Sequence, residues 1–272
     1  MHYLGSSRIS FAMKTNDHRA LLGLLASAII SLSVPTSDAS VVTYIDLFQT
    51  SQQIATNNAT LTNTVASTGA IGGFRTLTLS TFGGDPEFPQ NSSITVSTNT
   101  TRFTLSTPAD TVSNFTINWG GAGGNSGFGP VDFTGALGTN LSLSKSTLNF
   151  ALRSADQANS FTWTFTDVAN NTATYAGTFP IRSSTNPALP YALSLASFSG
   201  SGVIDWTSIN FISLAGGGVV DLDMGILAPI SVTAQTIPEP GTWAVAALLL
   251  GVATYTLWRR RQNTGAEPVA TA

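Results

Sequence analysis

Between Ser40 and Thr236 the chain carries ten carboxylates and five cations, so each ionisable side chain can be asked what chemistry it offers. Asp46, Asp205, Asp221 and Asp223 are the candidate ligands for calcium, a hard cation that takes carboxylate and carbonyl oxygens. No EF-hand or repeat spacing surrounds them, and solvated surface acids are the competing reading. Glycoside hydrolysis needs two carboxylates opposed across the scissile bond. Asp85 and Glu87 fall on a turn set by Gly83-Gly84 and Pro86, while Asp221 and Asp223 read as neighbours on the wet face of one strand. Neither pair is opposed; a pair assembled from separate strands stays open. Trp119 and Trp206 are the candidate stacking platforms for a pyranose ring, although both fall on patterns where burial is the default. His2 and His18 are the only histidines and cysteine is absent. Once a leader containing both histidines is removed, no Ser-His-Asp triad, cysteine nucleophile or conventional zinc site remains.

These side chains must be positioned by strands. Phe115, Ile117 and Trp119 alternate with Asn114, Thr116 and Asn118; Phe161, Trp163 and Phe165 alternate with Thr162, Thr164 and Thr166. Leu148, Phe150 and Leu152 repeat the pattern, and so does Val220-Leu222-Met224 around Asp221 and Asp223. Period-two alternation places one face in a core and the other in water. Asp167 to Asn171 reads as a hairpin loop, Gly120 to Pro130 as a long glycine-rich loop, and Asn186-Pro187 with Pro190 as another. A window at 48–57 is the one place in this region where a helix competes. The expectation is an all-β antiparallel sandwich occupying 40–236 as one domain. Only 9% of residues are charged against 42% hydrophobic, a balance that suits an extracellular β domain better than a cytosolic enzyme or a disordered chain. The acidic excess lacks any basic stripe, which argues against nucleic-acid binding.

The two ends differ from this body. Arg8, Lys14 and Arg19 precede the apolar run Ala20 to Val34, and Ser37-Asp38-Ala39 supplies small residues, so 1–39 reads as a signal peptide cleaved between Ala39 and Ser40. Near the other end, 243–258 is apolar apart from Thr254 and Thr256 and reads as a short transmembrane helix. Pro238, Glu239 and Pro240 hold an extended backbone before it, and Arg259, Arg260 and Arg261 follow as a basic retention cluster. A polar tail at 262–272 is placed in the cytoplasm.

This order of parts closely resembles the PEP-CTERM sorting signal. The resemblance covers 237–261 and implies recognition by an exosortase, a membrane-embedded enzyme resembling cysteine proteases, in a host that makes exopolysaccharide. The tail 262–272 is longer than that pattern expects. In the body, Ile45-Asp46-x-Phe48, Gly72-Gly73-x-Arg75 and Asp205-Trp206-x-x-Ile209 resemble landmarks of jelly-roll sandwiches in secreted bacterial proteins, some of which bind carbohydrate.

The resulting expectation is a non-enzymatic exported protein without a cofactor, apart from the calcium candidates. Signal peptidase and an exosortase handle it during export, its ectodomain faces the periplasm while the helix holds the inner membrane, and it ends at the cell surface or in the exopolysaccharide matrix of a biofilm. A carbohydrate-binding module is the alternative, and an Asp-based polysaccharide hydrolase the third reading.

Overall fold

The computed structural model describes residues 40–83, 90–121, 127–135, 141–235 and 249–259. Among the described residues thirteen strands run in chain order. They are β1 (Ser40–Asp46), β2 (Gln52–Thr56), β3 (Thr60–Ala66), β4 (Phe74–Gly83), β5 (Ser92–Ser97), β6 (Arg102–Ser106) and β7 (Thr111–Gly120). The second half supplies β8 (Thr147–Ala155), β9 (Asn159–Asp167), β10 (Thr172–Phe179), β11 (Leu189–Ser194), β12 (Ile209–Val220) and β13 (Met224–Gln235). One sheet has the order β11-β8-β13-β6-β5-β2, with β1 also paired to β13; the other has the order β10-β9-β12-β7-β4-β3. Every pairing between these strands is antiparallel. The two layers form the expected sandwich.

Alternation explains why these segments are strands. On β7 the inward Phe115, Ile117 and Trp119 are buried while Asn114 is exposed. β9 does the same with Phe161, Trp163 and Phe165, and β8 answers from the opposite sheet with Leu148, Phe150 and Leu152. Their rings interlock. Trp119 stacks on Trp163 at 5.7 Å between centroids, and Phe150 lies 5.6 Å from Trp163 and 6.2 Å from Phe161. Each such aromatic contributes about 2–3 kcal/mol by leaving water.

β13 organises its sheet. Its first residues pair with β6, its later ones with β1 on the same edge, and β8 lines the other edge. Pro229 falls where the β8 ladder skips from Leu227 to Ser231, a place where a missing N–H breaks no ladder bond. Ser40 pairs with Gln235, so the two ends of the sandwich leave side by side.

Three local expectations are corrected. The 48–57 window is not helical: it contains β2, whose buried Gln52, Ile54 and Thr56 alternate with exposed residues. Val220 to Met224 is not one strand. β12 ends at Val220, Asp221 turns with a φ of 56°, and β13 begins at Met224 in the other sheet. The alternation there is real but spans a crossover, which period-two counting cannot detect. Pro190 is not loop but part of β11, an edge strand, where proline costs no interior bond.

Candidate functional site

The landmark residues of the sequence meet inside the protein. Asp46 and Arg75 form an ion pair of 2.9 Å with both side chains fully buried. The carboxylate also accepts from Trp119 Nε1 at 2.8 Å and from the Phe48 backbone N–H at 2.8 Å. Arg75 donates its Nε to Gln52 Oε1 at 2.9 Å and an Nη to the Thr50 carbonyl, and its guanidinium carbon lies 5.6 Å from the centre of the Phe48 ring. This network ties β1, β2, β4 and β7 together and has no opening to solvent. Asp46 is therefore withdrawn as a calcium ligand and Trp119 as a stacking platform. The indole turned inward because its N–H found a buried carboxylate there.

The second group is also architectural. Asp167 accepts from the N–H groups of Ala169 and Asn171, from Asn171 Nδ2, and from the Asp205 N–H, all within 3.0 Å. Burial alone would raise its pKa, but these donors outweigh burial and hold it below the ordinary aspartate value. Asp205 is likewise lowered, chiefly by the hydroxyl and N–H of Thr207 and the hydroxyl of Ser208. Trp206 is 5% exposed, donates Nε1 to the Ser201 carbonyl and packs 5.3 Å from Phe165. It lines a depression of about 240 Å³ with Leu141, Ile204 and Thr207, but so little of the indole reaches solvent that it offers no platform for a sugar ring. Trp206 is corrected accordingly. No cluster of three potential metal ligands exists among the described residues.

A larger cleft, about 600 Å³, opens at the junction of β6, β8 and the start of β13. Its polar lining comes from Arg102 and Thr104 on β6, Ser154 and Asp156 at the end of β8, Arg182 and Ser183 beyond β10, and Asp223 before β13. The strands aim these groups by the same alternation that buries Phe103 and Leu105 inward. Neither arginine joins an ion pair among the described residues. The Nε atoms of Arg102 and Arg182 are enclosed and have no protein acceptor, an arrangement that costs free energy unless another acceptor enters.

The carboxylates here are partly engaged. Asp156 Oδ1 accepts the Asp223 N–H at 2.7 Å, and Asp223 Oδ1 accepts the Thr107 N–H at 3.1 Å. Burial raises the Asp156 pKa above its ordinary value; the Asp223 N–H opposes this, while the Asp223 and Asp221 charges add to it. Gly225 lies between two of the lining side chains: a Cβ there would meet Arg102 Cδ at 3.3 Å and Ser154 Oγ at 3.4 Å. Of the calcium candidates only Asp223 lines this cleft.

Arg102, Arg182 and Asp156 carry no motif. Their signal was scarcity: in a charge-poor chain each cation needs a partner, and these two arginines have no ion-pair partner among the described residues. At the other end of the chain, residues 249–259 form a helix exposing Leu249, Leu250, Val252, Tyr255, Leu257 and Trp258. Thr254 and Thr256 donate their hydroxyls back to helix carbonyls at 2.9 Å. Among the described residues no helix is long and apolar enough to cross a membrane. Arg259 closes this helix, whereas Ala39, Pro238, Glu239, Pro240, Arg260, Arg261 and residues 243–248 lie outside the described residues.

No protein-family profile and no curated sequence matches the chain significantly. Solved structures that match part of the chain include an agarase, at 9% identity and a TM-score of 0.37, matching 59% of this chain and 23% of that one. An exo-beta-agarase matches at 13% identity and 0.34, over 65% of this chain and 23% of its own. The chain thus spans under a quarter of the agarases' length. The family 11 carbohydrate-binding module of the cellulosomal cellulase Lic26A-Cel5E of Clostridium thermocellum matches at 12% identity and 0.33, over 74% of this chain and 98% of the module.

Proposed function

We propose that this chain is an exported, non-enzymatic polysaccharide-binding protein, delivered to the cell surface or its matrix by the 237–261 sorting segment. The observation that carries the binding reading is the cleft, where two guanidinium groups without ion-pair partners stand beside carboxylates and hydroxyls. Sugar hydroxyls both donate and accept, so they can bridge Arg102 or Arg182 to Asp156, Ser154 or Thr104, and a uronate carboxylate suits the guanidinium fork. Among the described residues no aromatic side chain lines the cleft, and its polar groups stand beside Leu105, Ile181 and Met224. Delivery rests on the resemblance of Pro238-Glu239-Pro240, the apolar run and Arg259 to Arg261 to exosortase substrates. The back-bonded Thr254 and Thr256 and the apolar surface of the 249–259 helix support a membrane setting for that run.

Affinity electrophoresis of the chain through gels containing alginate, xylan, hydroxyethylcellulose or agar tests the binding. At least one polymer retards the protein, and Arg102→Ala with Arg182→Ala abolishes the retardation without lowering the thermal midpoint. Mobility unaffected by every polymer overturns the reading, and new reducing ends in the gel would overturn its non-enzymatic part.

A further inference from the structure

The outward face of the six-stranded sheet carries a second, differently built surface. Phe82 on β4 stands opposite Val112 on β7, which stands opposite Val220 on β12, so the three share one row across adjacent strands. Phe82 is 55% exposed and Val220 is 47% exposed. Along the same strands the next rows are Ser80–Asn114–Gly217, then Thr78–Thr116–Ala215, then Thr76–Asn118–Ser213. Thr60, Thr62 and Thr64 extend the rows onto β3, and Ser160, Thr162 and Thr164 extend them onto β9. None of these positions is charged. Thr76 is 2% exposed and Asn118 Oδ1 is enclosed, so the accessible strip is the first three rows, roughly 13 Å long with same-face residues about 6.7 Å apart.

We infer that this face is a second docking surface, for a neutral polysaccharide chain, with the exposed Phe82 ring as its stacking platform and the hydroxyl and amide rows beyond it as its polar track. Three observations favour that occupant. The ring sits on a paired strand rather than a loop, so little entropy is lost in presenting its face. The hydroxyls are already ordered: Thr60 with Ser80 and Thr62 with Thr78 pair at 2.8 and 3.0 Å at the surface, and each pair keeps lone pairs for a ligand hydroxyl. The rows offer an ionic ligand no countercharge, whereas an uncharged polyol leaves no charge unpaired. A second copy of the chain fits less well, because the apolar part of this face is the single row Phe82, Val112 and Val220, whereas the centre of a stable interface is largely apolar.

This surface shares no residue with the Arg102–Arg182 cleft and lies on the other sheet, so the inference goes beyond the cleft reading and fails separately from it. The test is depletion of the full chain, purified in a polyoxyethylene detergent, by cellulose beads and by cross-linked dextran beads. Wild type is retained on at least one bead type. Phe82→Ala weakens retention about tenfold, as expected for losing half the burial of a phenylalanine. Val220→Ser weakens it in the same direction, Phe82→Trp preserves it, and Arg102→Ala with Arg182→Ala leaves it unchanged. Two substituted positions, both about half exposed, keep the outcome separable from misfolding. No retention of wild type, or equal retention of Phe82→Ala, overturns the inference. So does a Phe82-dependent dimer in light scattering without bead retention, which would assign the row to a second copy.

Discussion

Replacing Asp46 with asparagine removes the charge opposite Arg75 while keeping the shape of the side chain. The guanidinium stays buried, and the new amide turns a donor toward donors from Arg75, Trp119 and the Phe48 N–H. Removing one partner of a fully buried pair costs about 3–5 kcal/mol, because the other charge is left uncompensated. Arg75 retains Gln52 Oε1 and the Thr50 carbonyl, which places the expected loss toward the lower end of that range. With a urea slope of about 2.5 kcal/mol per molar, the unfolding midpoint falls by about 1–2 M. Equilibrium urea unfolding, followed by tryptophan fluorescence and by circular dichroism, reads this directly. Arg75→Met alone is also destabilising, but the double variant Asp46→Asn/Arg75→Met loses about 2–3 kcal/mol less than the sum of the singles. Raising sodium chloride to 0.5 M changes the wild-type midpoint little through this pair, since buried pairs are weakly screened. Single losses under about 1 kcal/mol that simply add would refute the claim that this pair is an interdependent unit of the core.

Three further outcomes are expected. Asp156 has a raised pKa, so its native state binds the proton more tightly and its contribution is stabilising in acid and fades as pH rises through that raised value. Asp156→Asn therefore increases the thermal midpoint at pH 7, and the gain shrinks toward zero below pH about 4, as a pH series of melts would show. Gly217 has a φ of 111°, and a Cβ there would lie 2.1 Å from the Ser113 carbonyl oxygen. Gly217→Ala should cost at least about 2 kcal/mol in urea unfolding, whereas Gly202→Ala, with no atom within 4 Å, should be near neutral. Alanines at Pro238, Glu239 and Pro240 trap the protein unprocessed in the membrane fraction. Mass spectrometry of wild type then finds a mature end near Glu239, and an intact Ala272 in surface-released protein counts against sorting.

Much of the fold was legible because β-strand alternation is written locally. Residues 114–119, 148–152 and 161–165 announce their inward faces, and the Asp167 loop announces its hairpin. The crossover at 221–223 was hidden because Val220, Leu222 and Met224 keep the same two-residue rhythm while the chain changes sheets. The sites were less legible for a different reason. Asp46, Arg75 and Trp119 stood out as residue types, but only the register of β1, β4 and β7 shows that they satisfy one another and are closed to ligands. The cleft depends on Arg102 and Arg182 having no ion-pair partner among the described residues, a property of three dimensions. Phe82 was overlooked beside Gly83-Gly84, where the turn signal masked the fact that the ring belongs to the outer row of a long strand.

The pairing of Ser40 with Gln235 sets an order of events for an exported chain. On the proposed export route β1 follows directly behind the expected leader and crosses the membrane first, yet its ladder partner among the described strands is β13, which crosses last. Until Gln235 has cleared the channel, the first strand has an open edge and the seven-stranded sheet lacks its organising member. The domain is thereby kept from closing early, in a form a narrow pore can pass. Its final zipper closes at Gln235, just before the proposed sorting segment, so on the proposed route completion of the sandwich coincides with arrival of that segment at the membrane.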